Sequence, residues 1–94
     1  SQYNLHPMPE LFDQKDKIFC FDAHNVTLTC ERLDLPRYVA FRVVFSSKRE
    51  PIVVARAKGV ERPFFWTSIP EGRQKEAEGV GKLIDAYLSR KERE

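Results

Sequence analysis

The amino-acid sequence predicts an α+β fold, a curled antiparallel meander of about five strands with one C-terminal helix packed across it. Two observations carry most of that expectation. Between residues 17 and 69, short segments rich in β-branched and aromatic residues alternate with polar connectors holding Pro, Gly, Asn or Asp. From about residue 70 to 90, the spacing of apolar residues switches from every second position to that of a helix. A third observation supports them. No helix-length segment separates the strands, so successive strands pair as neighbours.

Residues 1–16, SQYNLHPMPELFDQKD, hold two prolines and no sustained period, and read as a tail or lead-in with Leu11 and Phe12 against the core. Residues 17–94 form the domain. KIFCFD (17–22) and VTLTCERL (26–33) flank the polar AHN and read as a hairpin. In the second segment Val26, Leu28 and Cys30 alternate with Thr27, Thr29 and Glu31, the pattern of a half-buried strand. Pro36, within DLPR, has no N–H to give a ladder and punctuates the chain. YVAFRVVF (38–45) puts Val39, Phe41, Val43 and Phe45 on one face and Tyr38, Ala40, Arg42 and Val44 on the other. SSKREP turns the chain into IVVARAK (52–58), and GVERP leads to FFWTSI (64–69).

In the tail, Ala77, Val80, Ile84, Tyr87 and Leu88, with Leu83 beside them, fall on one helical face. Glu71–Lys75 and Glu78–Lys82 have the favourable i,i+4 order, worth about 0.2–0.5 kcal/mol each. Gly79 and Gly81 lie inside this helix, where each costs up to about 1 kcal/mol relative to Ala. The expectation is that they let the helix lie close to bulky strand residues such as Phe41 or Trp66.

Ninety-four residues make one domain with a single core and little room for a deep pocket. Hydrophobic content of 41% and a mean hydropathy of −0.50 suit a globular chain. No run approaches the roughly 18 apolar residues of a membrane span. The net charge of +2 is unevenly spread: residues 17–68 carry nine basic side chains against five acidic ones. Six of those nine are Arg, the cation suited to bidentate and stacked contacts. The whole-chain pI of about 8.6 nevertheless falls short of a nucleic-acid footprint.

Chemistry-bearing residues are sparse. Ser68 and Glu71 have capping-box spacing, and Pro70 suits a first helical turn, although Gly72 also allows a helix start nearer Arg73. The functional alternative at this junction is an anion site built from Thr67, Ser68 and Arg73. Cys20 and Cys30 are the only cysteines. A hairpin pairing Phe21 with Val26 sets Cys20 opposite Thr27 and Cys30 on the other face, so both read as free, buried thiols of a reducing compartment. Cys20, Asp22, His24 and Cys30 are metal-ligand types, but successive hairpin rungs spread them over roughly 10–13 Å. No metal or cofactor is expected. His6 and His24 are the only near-neutral bases and neither has an identifiable partner, so no catalytic residue is assigned.

The remaining constellation is a sheet surface. Tyr38, Arg42, Arg56, Lys58 and Trp66, with Phe64, share one face in some registers. Such residues suit a protein interface, and they equally suit stacking of single-stranded bases with Arg and Lys on phosphates. The reading is therefore a small non-catalytic cytoplasmic module acting through protein–protein contact or self-association, with a protein partner or a second copy of itself and no membrane partner. The first alternative is single-stranded nucleic-acid binding through the same basic and aromatic face. The second is an enzyme of unassigned class near Ser68 and Arg73.

Overall fold

The computed structural model describes residues 17–36, 38–58 and 64–93. Strands β1 (Ile18–Ala23), β2 (Val26–Asp34), β3 (Val39–Phe45), β4 (Ile52–Ala57) and β5 (Phe65–Ser68) pair antiparallel in chain order in one open sheet. Helix α1 (Gln74–Arg93) packs across one face. The α+β meander read from the sequence is the observed architecture. Residues 1–16, Arg37 and the GVERP connector lie outside the described residues.

The first hairpin turns on two residues. His24 and Asn25 both adopt positive φ, 54° and 66°, as a type I′ loop requires, and both residue types tolerate the left-handed region better than most. Ala23 therefore opposes Val26, and Phe21 opposes Leu28. This corrects the expected register: Cys20 faces Thr29 rather than Thr27. Cys20 and Cys30 remain on opposite faces and free, but Cys20 is exposed and only Cys30 is buried.

The covered face carries the core. Leu28, Cys30, Phe41, Val43, Phe45, Ile52, Val54 and Trp66 meet Ala77, Val80 and Ile84 of α1. Tyr87 stacks on Phe19 and Phe21 at centroid distances of 4.7 and 5.3 Å, carrying the helix as far as β1. Trp66 lies directly beneath Gly81, where a Cβ would overlap the indole. Its ring N–H donates to Asp85 Oδ2 at 2.8 Å.

The helix begins at Gln74 and runs to Arg93, later than the 70–90 span expected. Ile69–Pro70 is a cis peptide, and Gly72, at φ 130°, is outside any helical conformation. Ser68 serves this loop rather than the helix: its hydroxyl donates to the Pro70 carbonyl at 2.9 Å and accepts from the Arg73 N–H at 3.1 Å. The Arg73 carbonyl takes the first helical N–H, from Ala77, so Arg73 occupies the cap position. Glu71 then precedes the helix and forms no intrahelical pair with Lys75, while Glu78 accepts from the Gln74 amide at 3.0 Å.

Gln74 has a second task. Its amide donates to the Trp66 carbonyl at 2.7 Å, and its carbonyl accepts from the Thr67 hydroxyl at 3.1 Å. One side chain thus covers part of the unpaired edge of β5.

Candidate functional site

Register divides the expected contact surface between two faces. Arg42 is directly opposite Glu31 and Val53. Arg56 is opposite Trp66, on the face of Val54 and the core. Arg42 and Arg56 therefore belong to opposite faces of the sheet by register, although Arg56 still reaches the hollow that Tyr38 and Lys58 line.

The Arg56 side works within the molecule. Its guanidinium lies 5.4 Å from the Phe64 ring centroid and 5.8 Å from that of Trp66. Trp66 is only 6% exposed and lies beneath the helix. Its indole has no free face on which a base could stack.

Thr67, Ser68 and Arg73 are each engaged by other groups. Besides the Ser68 and Thr67 bonds described above, Arg73 donates to the carbonyls of Pro51 and Glu50 at 2.6 and 3.1 Å. It also grips both Glu76 oxygens, at 2.7 and 3.0 Å. The Arg73 hydrogen bond, helped by Arg49, holds the Glu76 carboxyl down at about 2, and the same bond raises the Arg73 guanidinium. These residues fasten the helix start to the β3–β4 turn. Among the described residues no cluster of His, Cys, Asp or Glu could hold a metal ion. Burial pushes the Cys30 thiol up to about 12, and the nearby Cys20 adds to the shift.

The other face of the sheet is covered by none of the described elements. By register it carries Ile18, Glu31, Arg42 and Val53 in one row, with Leu33, Ala40, Ala55 and Thr67 in the next. Cys20, Thr29 and Val44 form a third. Ile18 is 61% exposed, while Ala40 and Ala55 are sunk among their neighbours. Over β4 and β5 lies a shallow open hollow of about 790 Å³ lined by Tyr38, Ala55, Ala57, Lys58, Thr67 and Ile69, among others. A neighbouring hollow of about 470 Å³ takes in Arg42, Val53 and Gly72 and shares Ile69, Pro70 and Glu71 with the first. Tyr38, Arg56, Lys58 and Phe64 thus line one hollow and Arg42 the adjoining one, whereas Trp66 belongs to the core.

Glu31, Val53, Ile18 and Ile69 were missed by sequence reasoning, although YVAFRVVF and IVVARA carry apolar residues at both parities. That signal marks a sheet with two apolar faces. No protein-family model, curated protein or solved structure matches this chain.

Proposed function

We propose that the protein is a non-catalytic interaction module that docks a protein partner on the bare face of its sheet. The observation that supports this is that both faces carry apolar residues while, among the described elements, a helix covers only one. An antiparallel sheet that meets water on one side alternates apolar with polar residues. Here Ile18, Leu33, Val44 and Val53 fall on the side that no other described element covers. Its charge is balanced rather than basic, with Glu31 beside Arg42, which favours a protein over a polyanion.

Val53→Asp tests the reading, because Val53 is half-buried on the bare face and outside the core cluster. The expected result is a folded protein whose Tm falls little and which no longer captures the partner held by the wild type. Capture retained by Val53→Asp would overturn the docking face. A labelled single-stranded oligonucleotide that binds, with affinity falling steeply with salt, would replace the protein partner with nucleic acid.

A further inference from the structure

We infer that the partner on the bare face is a second copy of this chain, related by a twofold axis running between β2 and β3 and parallel to them. This assignment rests on the docking-face reading. An isologous contact demands a surface that is complementary to itself: where residue i meets residue j, j must meet i. The rows across β2 and β3 have that property.

Ile18, Glu31, Arg42 and Val53 stand side by side across β1 to β4. Read across the strands, the row is apolar, negative, positive, apolar. A twofold axis between Glu31 and Arg42 lays Glu31 over the partner's Arg42, and Ile18 over the partner's Val53, each contact occurring twice. The next row sets Leu33 beside Ala40, which is already fully buried within the chain and adds no contact surface. Thr29 and Val44 meet in the third row. Among the described residues neither Glu31 nor Arg42 has an ion-pair partner. Both are exposed and therefore available.

The dimensions allow it. About this axis β1 faces the partner's β4 and β2 its β3, so four strands about 4.8 Å apart and about 20 Å long overlap over roughly 400 Å² in projection, and sheets stacked about 10 Å apart bring Arg and Glu within reach. That is below the roughly 800 Å² per partner of a standard interface, so the dimer is expected to be weak.

The test is sedimentation of the wild type, Glu31→Arg, Arg42→Glu and an equimolar mixture of the two variants, across micromolar to millimolar concentrations. The wild type should dimerise. Each reversal alone places like charges together twice and should weaken dimerisation roughly tenfold or more. The mixture should form a one-to-one complex, since one chain then presents two cations and the other two anions. Mixing repairs charge only between chains, not within one, so recovery reports the interface rather than the fold. Circular dichroism on dilute samples verifies that each variant is folded.

A wild-type dimer that neither reversal weakens, or variants that do not associate when mixed, would overturn the assignment. A monomeric wild type would do so as well. If Val53→Asp still abolished capture of a different protein, only the second copy would fall; if it had no effect on capture, the docking face would fall too.

Discussion

Gly79 and Gly81 sit two positions apart in α1 and meet opposite surroundings. Nothing lies within 4 Å of a Cβ built on Gly79, which is exposed, whereas one built on Gly81 overlaps the Trp66 indole. Gly79→Ala should therefore raise stability by about 0.8–1 kcal/mol through helix propensity. Gly81→Ala should lower it by about 1–3 kcal/mol, because the indole or the helix must move. Thermal melts of the two variants settle both signs, and a stabilised Gly81→Ala would show that the contact is loose. The cysteines divide in the same manner. Cys20 is exposed, while Cys30 is fully buried with its thiol pushed up to about 12. Since the thiolate is the reactive form, iodoacetamide should label Cys20 in the folded chain and Cys30 only on unfolding. Equal labelling of both under native conditions would contradict the buried strand face.

The start of α1 is held by charge as well as by packing. Glu76 receives two bonds from Arg73 and one from Arg49, which lower its carboxyl from the ordinary value of 4.5 to about 2. A carboxyl more acidic in the folded state stabilises it fully above the unfolded value and loses that contribution as pH falls through the folded one. The Tm advantage of wild type over Glu76→Gln should therefore be largest above about pH 4.5 and shrink toward pH 2. With the Glu76 side chain 37% exposed, solvent screening keeps the effect modest. A difference in Tm independent of pH would remove the charge from this account. Strand number and helix face were legible because their periodicities of two and 3.6 are local. The helix start was not, because Ser68 bonds into a loop held by the β3–β4 turn, a contact no local window contains. The split between Arg42 and Arg56 was hidden for a related reason. Which strand faces align depends on register across β3 and β4, and a single-residue slip would have exchanged them.

At the scale of the molecule, the sheet is a plate with apolar side chains on both sides, mixed on one of them with Thr29, Glu31 and Arg42, and among the described elements one helix covers the other. Trp66 shows why the site was only half legible: a lone Trp in a basic segment suggests a stacking platform, yet its burial beneath Gly81 makes it a pillar of the core. The second apolar side could be read from the parity of Val44 and Val53, but its row order needed the observed pairing. The amide of Gln74 has a consequence for how such a plate behaves when concentrated. Contact through the face closes at two copies and then stops, whereas hydrogen bonding along a strand edge can add copies without end. By engaging the Trp66 carbonyl and the Thr67 hydroxyl, Gln74 takes up part of the β5 margin that filament growth would need. With the Trp66 carbonyl taken, an added strand finds fewer free groups along this border.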